Sequence, residues 1–311
     1  MISAAVKKGR SVKIAAVQAA SVAFDLDASL KKLCTLTRQA AGDGADLVVF
    51  PEAFLSGYPR GLTFGATVGS RTSEGRDWFA RCWESSVDVP GTVTETLVEL
   101  AAETSATLVV GVIERSGGTL YCTALTVEPT AGLVAKHRKL MPTAAERIMW
   151  GQGDGSTMPV IETPVGRIGT AICWESYMPL YRTWLYSRGT EIYVAPTADA
   201  RDEWIATMRH VALEGRCVVV SCNQYTTEGD YPADYPARND PAADFTTRGG
   251  SCIVGPLGQM LAGPAYGEEG IVTATVDLRA ITESRLDFDP VGHYSRPDVF
   301  TLQTNPPRQP E

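Results

Sequence analysis

Short runs of β-branched and apolar residues recur along the chain, at 12–18, 46–50, 107–113, 121–127, 167–172, 191–195, 217–221, 251–254 and 271–276, and each predicts a strand. Between several of them apolar positions return every three or four residues, at 29–41, 94–105, 180–187 and 203–216, which predicts helices. Strands alternating with helices imply a mixed α/β protein. Within 29–41, Leu30, Leu33, Cys34 and Leu36 share one face and Gly42 and Gly44 follow as breakers, so this helix is expected to cover one side of a sheet.

No linker, repeat or low-complexity tract interrupts the pattern, and the simplest organisation is one domain over 1–311 with its core at about 12–280. The clearest break is 225–248, where proline, aspartate, tyrosine and glycine mix without either period; this predicts a long loop, read either as a solvated insertion or as a lid or subunit contact. From Leu286 the chain is again irregular and ends in a proline-rich tail expected to fray.

Composition narrows the partners. With 44% hydrophobic and 21% charged residues the chain matches an ordinary soluble globular protein, so disorder is not the default. A net charge of −8 argues against nucleic acid or an anionic membrane, both of which need a basic surface, and favours a small neutral substrate. No apolar run approaches the roughly 18 residues of a membrane span, and the opening MISAAVKKGR has no signal-peptide core, so a cytoplasmic location is expected.

Cysteines and histidines carry less than their number suggests. Cys34, Cys82, Cys122, Cys173, Cys217, Cys222 and Cys252 are odd in number, sit in apolar stretches and form no C-x-x-C pair, which argues against a disulfide framework or a zinc site. The ordinary role of each is buried packing. His137, His210 and His293 are scattered, give no metal-ligand spacing and cannot be placed beside a cysteine; each reads as a hydrogen-bonded structural residue.

Three segments put a reactive group at the end of a strand, where α/β folds expose side chains to a crevice. In DLVVFPEAFLSGYP, Glu52 follows an apolar strand, and desolvation there would raise its pKa and make it a proton acceptor, although a backbone-bonding glutamate is the plainer reading of this segment alone. In KHRKLMPTAAERIMWGQGDGS, Lys136, Arg138 and Lys139 cluster seven residues or more before Glu146. Such a cluster is usually a solvated face, but an ammonium beside a thiol lowers the thiol's pKa and steadies charge developing on a substrate nitrogen or oxygen. The GQGDGS run lacks the pattern of a phosphate loop. In GRIGTAICWESYMPLYRTW, Cys173 sits at a strand-to-helix elbow, where backbone N–H groups and the positive end of a helix favour a thiolate.

Together these segments resemble the nitrilase superfamily from about Val12 to Phe300. FPEAF matches the family's glutamate at Glu52, HRKLMPT its lysine at Lys139, CWES its cysteine at Cys173, and AAERIMWGQGDGS a second glutamate at Glu146. GYPRGLTFG, EIYVAPTADARDEW and VGHYSRPDVF are similar to the true nitrilase branch, most of all to plant-type nitrilases that include enzymes acting on β-cyanoalanine.

The resemblance implies a four-layer α-β-β-α sandwich that pairs through its helical face into homodimers or larger spiral homo-oligomers, with 281–311 as an extension at a subunit contact. It implies a Glu-Lys-Cys triad that hydrolyses an organic nitrile to the acid and ammonia through a thioimidate and a thioester, with some amide by-product and no metal or organic cofactor. Tyr58, Trp174 and Thr197 are expected to contact the substrate, with 197–204 helping to set the size of the pocket. The 225–248 segment departs from the family pattern in composition and, with the short stretch after Phe300, leaves assembly size open. An amidase or carbamoylase with the same triad is the nearest rival, and a non-catalytic scaffold on the same fold the rival of another class. A redox thiol lacks a resolving cysteine nearby.

Overall fold

The computed structural model describes residues 11–305; the expectations for MISAAVKKGR and for the last proline-rich residues lie outside the described residues. Two seven-stranded mixed sheets form the centre. The first holds β1 (Ser11–Gln18), β2 (Leu47–Val49), β3 (Val87–Asp88), β4 (Thr107–Ser116), β5 (Thr119–Glu128), β6 (Gly132–Arg138) and β14 (Gly270–Asp277), in the order β14-β1-β2-β4-β5-β6 with β3 beside β4. The second holds β7 (Val160–Thr163), β8 (Gly166–Thr170), β9 (Ile192–Thr197), β10 (Val218–Asn223), β11 (Tyr225–Thr226), β12 (Thr247–Val254) and β13 (Met260–Tyr266), in the order β11-β12-β10-β9-β8-β7 with β13 beside β12.

The period of two along each strand decides what lies on each side. On β1, Val12, Ile14 and Ala16 join the core between the sheets, while Ala15 and Val17 face the outer core beneath helices α1 (Leu26–Gly42) and α3 (Thr92–Thr104). On β9, Ile192 and Val194 turn to the same inter-sheet core, and Tyr193 and Ala195 turn outward to α4 (Pro179–Ser187) and α5 (Asp202–Gly215). Burial on both faces is why these strands read as unbroken apolar runs. The layers are therefore helix, sheet, sheet, helix, the α-β-β-α sandwich expected from the resemblance.

The helices α2 (Ser73–Glu84) and α6 (Arg279–Ser284) and the strands β3, β7, β11 and β13 had no counterpart among the predicted segments, and β6 was anticipated only at its basic end. Helix α2 buries only Gly75, Trp78 and Cys82, too sparse a stripe to show as periodicity, and its start is fixed by the Thr72 hydroxyl accepting from Gly75 N–H at 3.0 Å.

Segment 225–248 is irregular as expected but is not a solvated insertion. It contains β11 and two 3-10 turns, and Tyr231, Tyr235, Ala237 and Phe245 are buried in a cluster with Leu62 and Trp78. Aromatic packing, with Tyr231 and Tyr235 stacked at 4.7 Å, ties it to the loop after β2 and to α2.

Candidate active site

One end of the two sheets gathers the singled-out residues. Glu52 lies three residues past β2, on a backbone that passes so close to β4 that a Cβ on Gly111 would meet the Pro51 carbonyl oxygen at 2.1 Å. Phe50 and Phe54, on either side, are anchored in the outer core with rings 5.0 Å apart. The carboxylate is thus held in the interior, 1% exposed. Its Oε1 accepts from Lys139 Nζ at 2.6 Å and from the Cys122 thiol at 3.4 Å, while Oε2 is buried with no partner among the described residues.

Lys139 follows β6 directly, and its N–H donates to the Cys122 carbonyl at 2.8 Å, continuing the strand register. Alternation then sorts the basic stretch. Lys136 and Arg138 turn to one face, where both donate to Glu114; His137 and Lys139 turn to the other, where both are buried. The Lys139 ammonium also donates to Glu146 Oε2 at 2.7 Å. Glu146 is the third residue of a 3-10 turn (Ala144–Ile148); the same oxygen accepts Thr143 N–H at 2.6 Å, and Oε1 accepts the Tyr58 hydroxyl at 2.7 Å.

Cys173 comes from the other sheet. It opens a 3-10 turn (Cys173–Tyr177) after β8 with φ of 51°, a left-handed conformation that costs a non-glycine residue about 1 kcal/mol or more. Its sulfur is buried and receives the Thr197 hydroxyl at 3.2 Å from the end of β9.

The electrostatics follow from burial. Burial pushes the Glu52 carboxyl up, and the Lys139 ammonium only partly opposes this because Glu146 adds negative charge nearby. Burial alone would lower the Lys139 ammonium, but Glu52, Cys173, Cys122 and Glu146 together hold it well above its ordinary value and keep it charged. The Cys173 thiol is raised, first by burial and then by Glu52, with Lys139 pulling the other way. This corrects the expectation of an ionised resting sulfur. The turn at Cys173 is a short 3-10 segment, and α4 begins only at Pro179, so no helix terminus stands at the thiol to outweigh desolvation.

A cavity of about 590 Å³ reaches Cys173, with Tyr58, Glu146 and Trp174 among its walls. Trp174 is held by its indole N–H donating to Asp199 at 2.8 Å and by Arg201 lying over its ring at 5.0 Å. Thr197 is not among the lining residues; it lies beneath the sulfur instead. The end of segment 225–248 contributes Asp244, Thr246, Thr247 and Arg248 to the rim. Among the described residues, no group of three or more His, Cys, Asp or Glu could hold a metal ion.

Sequence reasoning missed Cys122 at Glu52, Thr143 at Glu146 and Arg60 in the cavity wall. Glu175, within the CWES string, was given no role, and its carboxylate is fully buried. The available signal was the strand alternation, which puts His137 on the side of Lys139.

Comparison with known proteins adds the following. The family model described as carbon-nitrogen hydrolase matches residues 13–286. A nitrilase of Bradyrhizobium diazoefficiens is 54% identical over 93% of this chain and 91% of its own length. Nitrilase 2 of Arabidopsis thaliana is 50% identical over 96% of this chain and 90% of its own length. A bifunctional nitrilase/nitrile hydratase of Nicotiana tabacum is 50% identical over 94% of this chain and 85% of its own length. Among solved structures, Saccharomyces cerevisiae Nit3, a member of branch 10 of the nitrilase superfamily, superposes with a TM-score of 0.73 at 22% identity, covering 92% of this chain and 97% of the other. That likeness bears on the fold alone.

Proposed function

The chain belongs to the carbon-nitrogen hydrolase family and is a nitrilase, a hydrolase acting on nitriles; we propose that Cys173 is its nucleophile, Glu52 its proton carrier and Lys139 its charge stabiliser. The observation that carries these roles is a buried cluster in which one ammonium, Lys139, bridges Glu52 and Glu146, with Glu52 raised above its ordinary value by burial. A buried carboxylate with a raised pKa can take up and return a proton.

The thiol proton passes to Glu52 as the sulfur bonds to the nitrile carbon, so that no free thiolate has to persist in a buried site. Glu52 then hands that proton to the nitrogen, which restores its carboxylate, and the product is a covalent thioimidate. Lys139, fixed by Glu52 and Glu146, stabilises the negative charge that builds on nitrogen during attack. A water adds to the thioimidate, its proton passing through Glu52 to the nitrogen; the new hydroxyl gives up its proton to the nitrogen as the C–N bond breaks, ammonia leaves, and a thioester remains. A second water, activated in the same way, releases the carboxylic acid and restores the thiol. If the tetrahedral intermediate breaks its C–S bond instead, the product is the amide. Glu146 orients Lys139, Tyr58 braces Glu146 and walls the pocket with Trp174, and Thr197 holds the sulfur.

The whole chain serves as one catalytic domain in this reading, with no metal or organic cofactor taking part. Exposed Met178, Leu180 and Leu213 around α4 and α5, and Leu286, Tyr294 and Phe300 after α6, suit a homodimer or larger homo-oligomer in the cytoplasm; a single-chain mass in solution would contradict the assembly. The functional test is a panel of aliphatic, amino-acid and aromatic nitriles with acid, amide and ammonia all quantified, run beside Cys173→Ala. Acid and ammonia from at least one nitrile, and none from the variant, are expected. Ammonia from amides but not from the matching nitriles would favour an amidase or carbamoylase instead.

A further inference from the structure

Lys139 and Cys173 follow strands of different sheets, so neither sheet's own hydrogen-bond register fixes one against the other. A reacting pair split between them needs a tie at the site, since a misplacement of about 1 Å can cost roughly 100-fold in rate. The structure holds one. Glu175 is fully buried, and its two oxygens divide their partners between the sheets. Oε1 accepts the N–H of Leu140, the residue after Lys139, at 2.7 Å; Oε2 accepts the N–H of Ile172, the residue before Cys173, at 2.6 Å.

A glutamate in the third position of a short turn ordinarily does no more than cap it, and the Ile172 bond alone would satisfy that role. Here the second oxygen leaves the turn and crosses to the other sheet. His137 Nε2, which lies 3.1 and 3.0 Å from the two carboxylate oxygens, adds a side-chain donor to both. That imidazole is set in turn by its neighbours, with the Tyr181 hydroxyl 3.2 Å from Nε2 and the Thr157 carbonyl 3.2 Å from Nδ1. Tyr181 is itself anchored by donating to the Thr170 carbonyl at 2.7 Å, in the strand that leads to Cys173. The path from Lys139 to Cys173 is thus a closed loop of buried and partly buried hydrogen bonds.

We propose that Glu175 is a positioning residue that fixes the Lys139 ammonium relative to the Cys173 sulfur across the two sheets, with His137 holding its carboxylate in place. The proposal rests on the reading of Lys139 and Cys173 as reacting groups. It also explains why a carboxylate stands at this position: both oxygens must accept, and a glutamine would turn an NH2 group toward one of the two backbone N–H donors. Glu175 does not line the cavity and so has no substrate contact to lose.

The test is Glu175→Gln assayed well below its unfolding midpoint, with kcat and KM measured separately and Cys173→Ala run in parallel. A fall in kcat of about 100-fold with KM changed by less than about threefold is expected, because positioning acts on the reacting geometry and not on binding. A kcat within about threefold of the parent, or a raised KM with kcat kept, overturns the proposal. Turnover by Cys173→Ala would instead remove the reading on which it rests, so the two failures are distinguishable. If Glu175→Gln does not fold, His137→Asn decides the matter: about a 10-fold loss in kcat at unchanged KM supports the tie, and a parental kcat overturns it.

Discussion

Strand β6 presents cations to a buried carboxylate on each of its faces, and the two clusters end in opposite states. On one face Glu114 has both oxygens filled: Oε1 accepts from Lys136 and Arg138, and Oε2 from Thr123 and Arg138, all between 2.6 and 2.9 Å. Burial pushes this carboxyl up, but the hydrogen bonds from Arg138, Lys136 and Thr123 outweigh it and hold it below its ordinary 4.5. On the other face Glu52 has a single strong donor, Lys139, among the described residues and a pKa raised above the same 4.5. Both carboxylates are shut off from solvent, but the cations of Glu114 are about a quarter exposed whereas Lys139 is fully buried. The difference lies in depth and in how many donors reach each carboxylate, and it separates a clamp that holds three strands together from a base whose burial outweighs its one strong donor.

The largest effect that could break this contrast is on Lys139. Lys139→Met should lower kcat by about 10³-fold or more, since it removes the charge facing the developing anion and leaves Glu52 without its one strong donor. Near-parental kcat in that variant would mean that the ammonium serves the fold alone.

A smaller effect sharpens the contrast through pH. Glu52 must be ionised to take the thiol proton, and its folded pKa is raised, so kcat/KM should fall on the acid side with a limb above pH 4.5. A limb at or below 4.5 would contradict the assignment. Stability moves with opposite signs at the two carboxyls. Glu114, depressed in the fold, contributes stability that is present above its unfolded value and is lost as pH falls through its folded pKa. Glu52, raised in the fold, favours the folded state when protonated and loses that contribution as pH rises through its folded pKa.

The contrast also shows how much of the fold and site the sequence alone carries. Long apolar runs such as β1, β9 and β10 were legible because they are buried on both faces, and the amphipathic α1, α3, α4 and α5 because one stripe of each is buried. Strand β12 was only half visible. Its first residues include Gly249 and Gly250, whose positive φ lets Gln18 accept from Gly250 and Ser251 N–H, and glycine does not read as strand. Glu52, Lys139, Glu146 and Cys173 were named from motif resemblance, yet the same letters K-H-R-K did not say which cation served which carboxylate. That depends on strand alternation plus partners distant in the chain, Cys122 to Glu52 and Leu140 to Glu175 among them. The resting state of the thiol was misread for the same reason, because desolvation is set by what packs around the sulfur.

One paired measurement tests the central claim most directly: kcat and the unfolding midpoint of Glu52→Gln beside those of Glu114→Gln. Glu52→Gln should lose about 10³-fold or more in kcat in the folded fraction. Glu114→Gln should lose roughly 3 kcal/mol of stability while the folded fraction keeps kcat within about threefold. Equal losses of activity in the two variants, or activity kept when Glu52 is neutral, would contradict the account.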